Sequence, residues 1–289
     1  MASCRGDYPL TLMCRVLGVS RPGYYAGLDR EPSEQARHRA SVGKRLEALF
    51  YQFRRRYGSR RLMEELNDEG IACSENYVAD LMRERGLKAL NGKGMRYERR
   101  VESMTQVKEN VLGRNFSSEA PNRKWVADIT YIKVGRRWAY LAVVLDLYSR
   151  QIIGWSLETH MRESLVLKAL EMALNRRDTL DGLLMHSDRG VQYQGNEYQQ
   201  CLRDLCCVPG MSRKGNCWDN AVMGSFFARL KVELIYPENY RVLDELRRSL
   251  FEYIEIFYNR RRRHSSLGYS TPANYELQFY QSNVSTMRG

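Results

Sequence analysis

KWVADITYIKVGRRWAYLAVVLDLYSRQIIGWSL, from Lys124 to Leu157, is rich in β-branched and aromatic residues and is broken at two places. Gly135 is the first break and the Ser149–Arg150 pair the second. The stretch therefore predicts three antiparallel strands, Lys124–Val134, Arg137–Tyr148 and Gln151–Leu157. Further along, the periodicity changes. Arg162 to Asn175 sets Leu165, Ala169, Met172 and Ala173 on one helical face, and Leu183 to Ser187 is a short apolar strand running into Asp188. Glu197–Leu205 predicts a helix, Val208–Ser212 a strand, a long helix starts near Asp219, and another covers Val242 to Asn259.

Three strands, helix, strand, helix, strand, helix is the order of an α/β RNase H-like core, a mixed five-stranded sheet flanked by helices. All-α helix-turn-helix modules are expected before it. Residues 8–26, YPLTLMCRVLGVSRPGYYA, read as a helix, a turn at Gly18 and a second helix capped by Ser20, with Pro22 in its first turn. A second pair follows: Ser59 caps a helix carrying Leu62, Met63 and Leu66, Gly70 ends it, and Ser74 caps the next, with Val78, Leu81 and Met82. Arg54, Arg55, Arg56, Arg60 and Arg61 crowd the entrance to this pair. The expected division is residues 1–28 helix-turn-helix, 29–52 helical connector, 53–90 second helix-turn-helix-like module, 91–115 basic linker, 116–280 catalytic core and 281–289 tail.

Hydrophobic residues make up 43% of the 289, enough for an ordinary core, and the formal charge is +12. Such a surplus suits a polyanionic partner, because a basic surface gains affinity by releasing phosphate counterions. The seven cysteines are odd in number and show neither CxxC nor Cys/His spacing, which argues against a disulfide framework or zinc finger and for a reducing compartment. No apolar run reaches membrane-spanning length and no signal-peptide core is evident, so a cytoplasmic, nucleoid-associated bacterial protein with no membrane partner is expected.

Asp128 lies in the middle of the first strand and Asp188 just past the fourth. In an open mixed sheet, adjacent central strands bring two such carboxylates within reach of one metal ion, and a following helix can add a third ligand. Hard divalent cations take carboxylate oxygens, and paired ions clamp the attacking and leaving oxygens of a phosphodiester.

KWVADITYI, YLAVVLDLYSRQIIGWSL, HSDRGVQY, MSRKGNCWDNAVMGSFFARLKVEL and YNRRRRHSSLGYSTPANY together resemble the second-frame (OrfB) transposases of the insertion-sequence-three family, relatives of retroviral integrase. CRVLGVSRPGYYA and YGSRRLMEEL resemble the helical region of the same family, so the resemblance spans nearly the whole chain. It implies hydrolytic cleavage at insertion-sequence ends and strand transfer through the freed 3′-hydroxyl. Both steps use two Mg2+ or Mn2+ ions held by two aspartates and a glutamate. The implied partners are double-stranded DNA, as terminal inverted repeats and target, and a first-frame protein or a fusion with it. A homo-oligomer on DNA is also implied. Asp128 and Asp188 match the family ligands, but the family pattern NAxxESFF reads NAVMGSFF here, so Gly224 stands in the glutamate's place.

At about 100° per residue, Glu233 points away from the face of position 224, and Asp219, a helix cap, lies well off it. Lys231 returns to within about 20° and is placed to touch DNA. Glycine in a helix costs about 1 kcal/mol against alanine, and nothing local calls for one. Arg213, Lys214 and Asn216 form a basic loop suited to gripping DNA. Arg260, Arg261 and Arg262 form the densest basic run, and with Arg60, Arg61 and Arg21 they complete the expected DNA contacts. Trp218 reads as core rather than as a base-stacking residue, and His186 either orients Asp188 or packs in the strand. Gly224 keeps open a rival reading, a non-catalytic DNA-binding regulator or defective subunit of transposition. A nuclease of the same fold would lack the N-terminal helical pairs.

Overall fold

A computed structural model describes residues 4, 6–28, 30–90, 118–177, 182–188, 190–205, 207–211 and 221–286. The chain forms two compact units, residues 1–88 and 89–289.

The first unit holds five helices. In α1 (Leu10–Val16) and α2 (Arg21–Leu28) the expected cap is present: the Ser20 hydroxyl accepts the Gly23 N–H at 3.1 Å. The next three, α3 (Glu34–Gln52), α4 (Ser59–Asp68) and α5 (Glu75–Glu84), pack on one another. Ser74 caps α5 through the Tyr77 N–H at 3.3 Å, whereas Ser59 is not the cap expected of it; Gly58 holds that position. The 29–52 segment is no mere connector, because α3 buries Val42, Leu46, Leu49 and Phe50 and is tied by Arg45 to Glu69 and by Arg39 to Glu84.

The second unit is built on β1 (Lys124–Val134), β2 (Arg137–Asp146), β3 (Ile152–Glu158), β4 (Leu184–Ser187) and β5 (Val208–Met211), in sheet order β3-β2-β1-β4-β5. The first three strands pair antiparallel and β4 and β5 add in parallel, which makes the sheet mixed, as an RNase H-like core requires. Gly135 turns the first hairpin at φ +56°, where a side chain would be strained. One sheet face packs on α6 (Glu163–Leu174) and α7 (Asn196–Asp204) through Trp125, Ala127, Ala142, Val144, Leu165 and Tyr198. There Gly154 lets α6 approach so closely that any Cβ would strike the Ala169 carbonyl. The opposite face buries Val126, Ile132, Leu141 and Val143, and α8 (Ala221–Leu230) lies against β1.

Two departures from local periodicity follow. α8 runs into a π-helical turn, Lys231–Ile235, and α9 (Leu243–Phe251) into a π-helical stretch, Glu252–Tyr258. The expected single helix from Val242 to Asn259 thus changes its winding midway. α10 (Pro272–Thr286) carries through residue 281, so the expected start of a tail falls inside a helix. Tyr148 meets Tyr275 and Phe279 on α10, and Arg177 pairs with Glu276. The basic linker expected at 91–115 lies outside the described residues.

Candidate active site

Strand register explains the acidic pair. β1 and β4 run parallel, and their last partners are Ala127 and Ser187. Asp128 and Asp188 each come one residue later, side by side on strands about 4.8 Å apart. Among the described residues each carboxylate has one backbone donor: Ile129 N–H to Asp128 Oδ1 at 2.8 Å, and Gly190 N–H to Asp188 Oδ1 at 3.0 Å. Asp146, also buried on this sheet, is different. It accepts from the Asn122, Tyr148 and Ser149 N–H groups and from the Trp125 indole, which marks it as a turn-building carboxylate.

Burial, and then the neighbouring Asp188 charge, push Asp128 up to about 7 against the pull of the Ile129 N–H. A largely buried carboxylate beside an exposed one suits a hard divalent cation, which would supply a compensating charge. Among the described residues no cluster of three His, Cys, Asp or Glu groups stands ready for a metal. The described donors therefore amount to a pair.

A pH signature follows. The folded Asp128 pKa lies above the unfolded carboxylate value of about 3.9, so folding takes up a proton between roughly pH 4 and 7. Stability from this group is full below that window and is lost as pH rises through it. In chelator, Asp128→Asn is expected to melt progressively higher than the parent as pH goes from about 5 to about 7, with the gap constant above. Manganese should close the gap at high pH by stabilising the parent. A gap independent of pH would show that Asp128 ionises normally.

Gly190 was not among the residues singled out from sequence, although HSDRGVQY contains it. A Cβ there would sit 3.0 Å from Asp188 Oδ1 and 2.8 Å from Gln192 Oε1, so glycine is what lets this backbone hold the carboxylate. Tyr193 lies beneath the pair. Burial, then Tyr198, then the two aspartates push its phenol upward, and its hydroxyl has no hydrogen-bond partner among the described residues. His186 is buried in β4.

Gly224 is on an exposed face of α8, and a Cβ there would meet nothing within 4 Å. Downstream, the chain touches β1 at two points. Lys231 Nζ lies 4.8 Å from the Tyr131 ring centroid, and Tyr240 O accepts the Gly135 N–H at 2.8 Å. From Lys231 to Tyr240 the chain thus follows β1 toward its turn at Gly135.

Residues 118–217 match the integrase core domain family and 205–272 a second integrase core domain family; residues 38–93 match an HTH-like domain. Transposase InsF for insertion sequence IS3A of Escherichia coli strain K12 is 38% identical over 94% of this chain and 95% of its own length. This chain belongs to the IS3 family of transposases. The insertion element IS600 uncharacterized 31 kDa protein of Shigella sonnei is 38% identical to the transposase over 93% of this chain and 99% of that one. The HTLV-2 integrase catalytic core domain in complex with magnesium aligns with 53% of the transposase and 95% of that chain, at 17% identity and TM-score 0.39.

The transposase does not keep all its expected DNA contacts on the surface. Arg262 is the clear correction: it is 2% exposed and ion-paired to Glu233, with Nη2 to Oε1 at 2.8 Å. Tyr253 Oη donates to the same carboxylate at 2.9 Å, so Glu233 is fully engaged away from the acidic pair. Lys231 is also largely buried, and burial lowers its pKa; its ammonium faces an aromatic ring rather than open solvent. Arg56, too, is buried. Arg60 is exposed but bound to both Glu75 oxygens, at 3.0 and 2.9 Å, and Arg61 packs over Tyr57. Arg21, Arg260 and Arg261 are exposed. Arg213, Lys214, Asn216, Trp218 and Asp219 lie outside the described residues. No helix among the described residues is long and apolar enough to cross a membrane.

Proposed function

We propose that the transposase binds insertion-sequence ends and target DNA and that Asp128 and Asp188 hold Mg2+ or Mn2+ for strand cleavage and strand transfer. Position 224 is the place of the third ligand, and its glycine leaves this sequence catalytically impaired. The observation that carries this reading is the β1–β4 register, which sets the two carboxylates side by side. The packing of α8 against β1 supports the third assignment. Seven residues of helix before Lys231 span about 10.5 Å, and three residues of strand before Tyr131 span about 10 Å, lengths that match the assignment of position 224 to the site of Asp128.

Bound there, divalent cations would stabilise charge on the attacking and leaving oxygens of a phosphodiester. The chain's own groups do the positioning. The Ile129 and Gly190 N–H groups hold the two carboxylates in place, and the helical unit supplies duplex affinity through residues such as Arg21. A first-frame protein partner and a homo-oligomer on DNA belong to the same reading.

Titration calorimetry with manganese tests it. One weak site is expected, absent from the Asp128→Asn/Asp188→Asn double variant; unchanged binding in that variant would remove the basis of the assignment. A second reading, a DNA-binding regulator without catalysis, is favoured by Gly224 alone and would be supported by intact DNA binding with no metal-dependent joining.

A further inference from the structure

Beyond Ala127, β1 pairs only with β2, and the two strands run on as a hairpin past the acidic pair. On one face of it Tyr131 lies opposite Tyr140, and Lys133 opposite Trp138. Tyr131 is 57% exposed and Trp138 49%, and their rings meet edge to face with centroids 5.3 Å apart. The other face is ordinary core, with Ile132, Val134 and Ala139 buried, and the turn is pinned by the Gly135 N–H to Tyr240 O. Lys231 Nζ covers one side of the Tyr131 ring at 4.8 Å, and the rest of the aromatic pair sits in water on a rigid support. Its surroundings are cationic: Lys133, Arg136 and Arg137 are exposed, and no acidic residue occurs between Asp128 and Asp146.

The exposed ring surface calls for flat partners, and the lysine and arginines call for regularly spaced anions. A duplex offers phosphates but keeps its bases stacked inside. An unpaired strand offers both, and base–aromatic stacking is indifferent to sequence. Tyr131 is three residues from Asp128, about 10 Å along the strand, and strand alternation turns it to the opposite face of the sheet.

We propose that this hairpin face binds single-stranded DNA, with Tyr131 and Trp138 stacking on unpaired bases while Lys133, Arg136 and Arg137 contact phosphates. The inference rests on the proposed catalytic reading and adds to it a site for a strand parted from its complement.

The test is fluorescence anisotropy on the full chain with labelled oligo(dT) and, separately, with a blunt duplex. Tyr131→Ala/Trp138→Ala is expected to weaken oligo(dT) binding by roughly ten- to a hundred-fold while duplex affinity stays within about two-fold. Trp138→Phe should retain most of the oligo(dT) affinity. Unchanged oligo(dT) affinity in the double variant overturns the proposal, and so does an equal loss for both DNAs, which would mean backbone charge without stacking. If the double variant does not fold, the fluorescence difference between the parent and Trp138→Phe decides. Quenching of the Trp138 component by oligo(dT) supports stacking, and its absence rejects it. Manganese calorimetry on the same proteins reads the catalytic assignment separately, so either idea can fail while the other stands.

Discussion

Gly224→Glu is expected to raise strand-transfer activity by roughly 10² to 10³-fold, the usual worth of one well-placed electrostatic group. The substitution asks little of the fold. Gly224 lies in a regular helix on an exposed face, with nothing within 4 Å of a new Cβ. Glutamate is also the better helix former, by roughly 0.5 to 1 kcal/mol. Without metal, a third carboxylate adds repulsion to a pair in which Asp128 is already pushed up to about 7. With manganese the same carboxylate is expected to become a ligand, as the proposed site requires. The variant should therefore show a larger manganese-dependent rise in melting temperature than the parent, a readout that does not depend on turnover. Activity is to be measured with matched terminal-repeat DNA and the first-frame protein supplied. A Glu233→Leu/Arg262→Met control, which removes that carboxylate without leaving a buried unpaired charge, should leave joining chemistry intact, because Glu233 is held by Arg262 and Tyr253. Parent activity equal to that of Gly224→Glu, or activity abolished in a folded Glu233→Leu/Arg262→Met control, would show that the third ligand lies elsewhere.

The contrast between Glu233 and Asp128 shows what local pattern reveals and what it hides. Strand alternation and the break at Gly135 made the first hairpin legible, and the order of elements implied that the strands bearing Asp128 and Asp188 would be neighbours. Both are short-range signals combined with a topological rule. Arg262 carries no such signal. In YNRRRRHSSLGY it looks like one more solvated arginine, and its partner is 29 residues away in sequence. The π-helical turns were invisible for a related reason: a fixed 100° step continues smoothly past Leu230, whereas the chain widens there to bury Lys231, Glu233, Leu234 and Ile235. Exposure of Tyr131 and Trp138 could not be foreseen either, because aromatic residues on a strand normally signal packing. Only the register shows that β4 stops at Ser187, before the hairpin does.

Arg262→Ala is the second large effect expected, and it concerns stability. Both side chains of the Arg262–Glu233 pair are almost fully buried, 2% and 1% exposed. Burial alone would lower the arginine pKa, but Tyr253 and Glu233 outweigh it, so the guanidinium stays charged and paired. Removing one partner leaves a buried carboxylate without its counter-charge, which typically costs about 3–5 kcal/mol. For a unit of this size that lowers the melting temperature by something on the order of 10 °C. Removing both charges is a different perturbation. In Glu233→Leu/Arg262→Met no unpaired ion remains, and most of the lost stability should return. Thermal melts of the parent, the single and the double variant decide this. Duplex binding by the double variant then separates structure from recognition. It should match the parent, whereas Arg260→Ala/Arg261→Ala should weaken binding and flatten its salt dependence, since those two guanidiniums face solvent. A stable double variant that had lost duplex affinity would return Arg262 to the DNA-binding surface, and the ion pair would then have to open when DNA binds.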